Sequence, residues 1–281
     1  MMDFPFIKDI PETDPTYRTT KNIWESFPDG LKKFWIETQN SIRNAAMIPT
    51  NILETYPEAA SSLYAFTAPM KNAPSSPIKF PYLINVAMHI PAKPGDVAHE
   101  VAHLYLHAVK NYPFIWDHHS LNLERPSKPI TNHKIFIERN LAARVYDVII
   151  HPLVDKELQI RNLLSTDFES RMIEDAKMNL KSFSDESTDR RKMTLKNINS
   201  LFLVEYSLRL NPSQWGSILK PFEKDKSISE LNTFALKLND IISSYGTDPS
   251  GILNAIKESW RFFNLRQYRI NMDLLEKSPI L

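Results

Sequence analysis

Proline placement is the tightest limit on what this chain can fold into. Sixteen of its twenty prolines lie at or before Pro152. Each one fixes φ and removes a backbone donor, so long helices and central strands are hard to build among them. All eight histidines (89, 99, 103, 107, 118, 119, 133, 151) fall in the same part, between residues 89 and 151. The chain therefore divides by composition. Residues 1–155 hold the irregular backbone and all the imidazole chemistry, and residues 156–281 read as a proline-poor helical part. We expect the two to pack as one unit.

Charge and residue usage exclude several functions. The 281 residues carry a net charge of +1, with 42% hydrophobic and 24% charged residues, as in ordinary globular proteins. Residues 1–155 have 15 Lys+Arg against 16 Asp+Glu, and the rest have 19 against 17. Neither part has the basic excess of a nucleic-acid binder. Nothing approaches 18 consecutive apolar residues, so no membrane span is expected. The start, Met1 to Asp9, lacks a basic segment followed by an apolar run, and no secretory signal is read there. Cysteine is absent, so any metal must be held by histidine and carboxylate. These features fit a cytoplasmic protein. The five glycines form no phosphate-cradling loop.

Apolar spacing places the elements. Residues 1–27 read as an extended arm. Leu31, Phe34, Trp35, Thr38, Ile42 and Ala45 recur at helical spacing and predict a helix from Asp29 to Met47. One or two short helices fit Leu53 to Tyr64, and a loop fits Ala65 to Pro81. Tyr82 to Ile90 is short, partly β-branched and closed by Pro91, which predicts a strand. Beyond Asp155 come five or six helices, among them Phe168–Phe183, Leu195–Leu210 and Pro212–Lys220. Ser227 and Glu230 form a capping-box pattern that opens a helix running to Tyr245, with Gly246 as its stop. A last helix is expected from Gly251 to about Leu275.

The stretch Asp96-Val97-Ala98-His99-Glu100-Val101-Ala102-His103-Leu104-Tyr105 carries the chemistry. Asp96 is a helix-cap residue, and the apolar neighbours suit a helix running through a core. His99 and His103, four apart, lie on one helical face and can grip one zinc ion. Glu100 sits about 100° round the helix, placed to reach a water rather than the metal. Together they make the minimum set for zinc-assisted hydrolysis. His107, one turn on, is read as a supporting residue. His118 and His119 are read as loop histidines beside the cleft.

A zinc hydrolase needs a third protein ligand. A helix is predicted from Thr131 to Ile150, ended by Pro152, and on it lie Glu138, Asp147 and His151. Asp147 is favoured, because Ala142 and Ala143 would let this helix come close. Glu138 is the rival. His151 can be a ligand, a donor to a reacting oxyanion, or a capping residue.

His-Glu-Val-Ala-His-Leu-Tyr-Leu-His at 99–107, followed by Ala-Arg-Val-Tyr-Asp-Val-Ile-Ile-His-Pro-Leu at 143–153, resembles the zincin metallopeptidases. More narrowly, it is similar to the metallopeptidase domains that accompany von Willebrand A-type modules in microbes. Those domains join a His-Glu-x-x-His helix bearing a further histidine to a helix with Ala-Asp-x-x-x-Asn-Pro. The resemblance implies His99 and His103 as zinc ligands, Glu100 as general base and Asp147 as third ligand. It covers about residues 96–155. Tyr146 and His151 depart from it, standing where those domains have a small residue and Asn. No von Willebrand-like metal motif follows, and Val109 replaces the third histidine of the metzincin pattern.

The resulting expectation is an α+β, predominantly helical, zincin-like fold: a small sheet, an active-site helix and a helical C-terminal part. Its function would be that of a zinc metallopeptidase acting on a peptide or protein substrate. The competing expectation is a catalytically inactive zincin-like binding or scaffold protein that holds zinc and cleaves nothing. A helical protein with an accidental motif would bind no metal at all.

Overall fold

The computed structural model describes residues 15–42, 45–50, 65–71, 82–88, 93–114, 121–123, 132–185, 192–265 and 268–270. These fall into two compact units, with boundaries at 116/117, 155/156, 165/166 and 271/272. The expected parts, 1–155 and 156–281, share only the 155/156 boundary with them. The expected loop histidines His118 and His119, and the short helices expected near 53–64, lie outside the described residues.

Helix dominates. About 81% of the described body is helical. The α+β, zincin-like expectation is therefore corrected: the described body is all-helical in class. Elsewhere only backbone pairing is described. The short segments β1 (Ala45–Thr50), β2 (Ala65–Lys71) and β3 (Tyr82–Met88) pair in the order β1-β3-β2. Pro49 and Pro69 sit inside two of them, where each lacks a ladder donor. These three segments of six or seven residues stand beside nine helices among the described residues. Even so, β2 occupies residues where a loop was expected.

In the first unit, α1 (Pro15–Ser26) replaces the later part of the expected extended arm, whose first 14 residues lie outside the described ones. Its proline is the first helical residue, where the missing N–H costs nothing. Helix α2 (Asp29–Ser41) is shorter than its apolar pattern suggests, because the chain turns to extended geometry at Ile42. Its Leu31, Phe34 and Trp35 are buried. Trp35 meets Trp24 and Phe27 at ring separations of 6.1 and 5.7 Å. Phe34 meets Tyr105 of α3 (Pro94–Ala108) edge to face at 5.3 Å. The guanidinium of Arg161 lies over both Phe34 (4.1 Å) and Tyr105 (4.5 Å), and it pairs with Glu37 and with buried Glu157. Gly95 packs tightly at the start of α3. A Cβ there would come within 3.3 Å of the Ser165 Cβ.

The second unit holds most of α4 (Asn132–Ile160), which is one continuous helix. The expected stop at Pro152 is thus corrected. Proline removes one ladder hydrogen bond and clashes with the carbonyl four residues back, at a cost of about 3 kcal/mol. Burial on both sides of it, by Val148, Ile149, Ile150, Val154 and Leu158, offsets that cost. The unit continues with α5 (Phe168–Asp185), α6 (Lys192–Arg209), α7 (Pro212–Leu219), α8 (Lys226–Ser243) and α9 (Pro249–Phe262). A short antiparallel pair joins β4 (Leu121–Leu123) to β5 (Tyr268–Ile270). Trp260 of α9 donates its indole N–H to the Ala142 carbonyl at 3.0 Å, fastening α9 to α4. The last helix ends well before Leu275. Asn264, at φ 59°, reverses the chain, and the Leu265 N–H closes on the Trp260 carbonyl at 2.7 Å. Asn111 and Asn162 make the same left-handed turn after α3 and α4. In a chain with five glycines, asparagine takes the role glycine usually fills at helix ends.

Helix α8 opens two residues earlier than the Ser227–Glu230 pattern suggests. Asp225 is its cap, accepting from Ser227 N–H (2.8 Å) and Ile228 N–H (3.2 Å) and from the Ser184 hydroxyl. The Ser184 hydroxyl first, then those N–H groups, hold the Asp225 carboxyl below its usual range. Asp225→Ala should cost about 1 kcal/mol at neutral pH. A carboxyl with a lowered folded pKa stabilises above its unfolded value, near 3.8, and loses that contribution as pH falls through the folded value. Urea midpoints of wild type and variant should therefore differ at pH 7 and converge as the pH falls through the lowered folded value. Equal midpoints at pH 7 would remove the cap from the account.

No helix among the described residues is long and apolar enough to cross a membrane.

Candidate metal centre

Helix α3 begins with Pro94 at its first position, pre-set for helical φ. Asp96 does not cap it, as the sequence suggested. It lies in the first turn, where its carboxylate accepts the Lys93 backbone N–H at 3.1 Å and faces the positive end of the helix. Val97, Ala98, Val101, Ala102 and Leu104 are fully buried, so the helix is anchored along most of its circumference. This rigid support fixes the two histidines.

His103 is buried and His99 half-buried. Their Nε2 atoms lie 3.2 Å apart, with the rings at 75°. Two nitrogens each ~2.0–2.1 Å from one zinc at the tetrahedral angle are separated by about 3.3–3.4 Å. The pair thus has nearly the spacing that one zinc ion would impose. Without metal, the same distance lets one ring donate its N–H to the other. Neutral imidazole nitrogens of this kind fit zinc, and the chain has no thiolate to compete with them. Glu100 follows His99 on α3 and is half-buried.

His107 has a local role. A carbonyl only accepts, so the 2.7 Å contact from Nδ1 to the Tyr112 carbonyl means that Nδ1 carries the hydrogen. Its ring stacks on Phe114 at 5.6 Å, and Phe114 also lies 6.5 Å from the His103 ring. His107 fastens the turn after α3 and, through Phe114, backs His103.

Helix α4 carries the three residues considered for a third ligand, each half-buried. Asp147 and His151, four apart, share a face. Glu138 lies nine residues before Asp147, about half a turn round the helix from it. Burial raises the Asp147 carboxyl above its usual range, His151 and Arg144 oppose this, and Glu205 adds to it.

Around His151 the second unit contains a charged cluster that sequence reasoning missed. His151 Nδ1 lies 2.8 Å from Glu205 Oε1. Arg144 pairs with the other Glu205 oxygen, and Arg209 reaches Oε1 at 2.7 Å. Asp155 holds Arg209 with two hydrogen bonds of 2.7 and 2.9 Å. Burial alone would raise the Glu205 carboxyl, but Arg144, His151 and Arg209 together hold it well below the usual range. One signal was available in the sequence. Glu205 interrupts the apolar run Leu201 to Tyr206 and has Arg209 four residues on, so a charge sits on a buried helical face with a partner one turn away.

No family model, curated protein or solved structure matches this chain.

Proposed function

We propose that this protein is a zinc-dependent hydrolase whose substrates are peptides or proteins. The 3.2 Å approach of the His99 and His103 Nε2 atoms on a buried, rigid helix carries the reading. In it, His99 and His103 hold the ion. Zinc, when bound, supplies Lewis acidity toward the scissile carbonyl and toward water. Glu100 takes the proton of the attacking water and returns it to the leaving amine. The buried apolar face of α3 keeps the histidines from turning away, so little reorganisation is needed on binding. The even charge balance supports a substrate recognised without strong electrostatic steering. The cytoplasm is the compartment that the absence of cysteine favours.

The test is elemental analysis of untagged protein beside a His99→Ala, His103→Ala double variant. Near-stoichiometric zinc in the wild type, lost in the variant, is expected. No zinc in either, after zinc is offered, would sink the reading. Zinc without cleavage of any member of a peptide library would leave a metal-holding binding protein instead.

A further inference from the structure

We propose that Phe114 is a positioning residue for the zinc pair, setting the His103 ring, and that His107 acts through Phe114 and not on the ion. The inference rests on the zinc reading above and concerns the first unit alone. It starts from the spacing of the three histidines on α3. His99 and His107 are eight residues apart, so their backbones lie about 12 Å apart along the helix axis. An ion held between His99 and His103 is well over a turn from the His107 backbone. The His107 ring is also engaged elsewhere. Its Nδ1 donates to the Tyr112 carbonyl at 2.7 Å, and its face stacks on Phe114 at 5.6 Å with 28° between the planes.

The turn after α3 brings Phe114 back to the histidines. Asn111, at φ 59°, reverses the chain. Its N–H meets the His107 carbonyl at 3.1 Å, and the Tyr112 N–H meets the Leu106 carbonyl at 3.0 Å. The His107 ring adds a third tie across the same turn. Phe114, three residues past the reversal, is buried, and its ring lies 6.5 Å from that of His103 at 55°. Aromatic rings interact specifically over separations of about 4.5–7 Å. The His103 ring thus meets two others, Phe114 and His99, the latter at 4.9 Å and 75°. Those contacts restrain rotation about its outer side-chain bond, a torsion that is broad when nothing packs on the ring. That torsion decides where Nε2 points, and Nε2 is the atom 3.2 Å from its partner on His99. A ligand held by packing needs little reorganisation when metal binds. An apolar side chain of any shape at 114 would cover the core. A flat ring stacked on one histidine and tilted against another also orients them.

The experiment measures zinc affinity on the full-length chain by competition with a chromophoric chelator. Phe114→Leu removes the ring but keeps a large apolar side chain, so the protein should still fold. It should weaken zinc about 10-fold, the low end for residues that orient a metal ligand. His107→Ala should weaken zinc no more than that, and should add little in the Phe114→Leu background, because it acts through that ring. Cobalt(II) offered in place of zinc gives visible bands that follow ligand geometry, and Phe114→Leu should alter them. Unchanged zinc affinity in Phe114→Leu, or weaker zinc with unchanged cobalt bands, would overturn the positioning role. A His107→Ala loss of the same size in both backgrounds would overturn the action through Phe114. Nitrogen-15 NMR of the unsubstituted protein needs no variant. Added zinc should shift the His99 and His103 ring nitrogens strongly while His107 keeps its Nδ1–H. A His107 nitrogen shifted as strongly as theirs would make it a ligand and overturn the inference. Wild-type protein that takes up no zinc would overturn the hydrolase reading and this inference with it, whereas the other adverse outcomes leave zinc bound and overturn the inference alone.

Discussion

Glu100→Ala should lower peptide hydrolysis by about 10²–10⁴-fold, the range that one positioned general base contributes. Zinc content should not change, since the carboxylate lies about 100° round α3 from His99 and is read as facing water rather than metal. The two measurements belong together. Loss of activity with zinc retained assigns Glu100 to proton transfer. Loss of both would make it a ligand or a support for the helix, and retention of both would remove it from the chemistry. Glu100→Gln is the companion variant. It keeps shape and hydrogen-bonding capacity but cannot take a proton, so it should be as inactive as the alanine form.

Glu205→Ala should destabilise the protein by about 3 kcal/mol, the low end of the range for breaking a buried ion pair from one side. The low end follows from what survives. Arg209 keeps both hydrogen bonds to Asp155, and Arg144, with about a quarter of its side chain exposed, can turn to water. His151 loses its acceptor. Urea unfolding with an unchanged slope and a lower midpoint is the expected result. A shift below about 0.5 kcal/mol would show that the cluster is hydrated and contributes as little as a surface pair. Replacing Glu205, Arg144, Arg209 and Asp155 together with apolar residues should be far less damaging than the single change, because none of the four charges is then left without its partner.

Helix α3 was legible because its evidence is local. Apolar residues at helical spacing, Pro94 at the start and two histidines four apart all sit within fifteen residues. The same holds for α5, α6 and α7, whose expected and observed limits differ by no more than three residues at either end. Local reading failed where a tertiary contact overruled a local preference. Pro152 was expected to end α4, yet the helix continues because residues on both sides of the proline are buried. The mixed fold class was inferred from a strand-like run ahead of α3. Short, proline-interrupted segments do not outweigh nine helices among the described residues.

By itself the sequence determined the imidazole pair. The 3.6-residue repeat brings His99 and His103 to one face whatever surrounds them, and the missing cysteines leave nitrogen and oxygen as the only donors. It also determined which helix carries the remaining candidates, since Glu138, Asp147 and His151 are all on α4. Only the tertiary structure decided the state of His151. Its partner Glu205 is 54 positions away, and Arg144 reaches Glu205 across 61. Helical periodicity orders residues a turn or two apart and carries no information over such distances. Which charge meets which ring was settled when α6 packed beside α4, where leaving any one of these groups without a partner costs several kcal/mol.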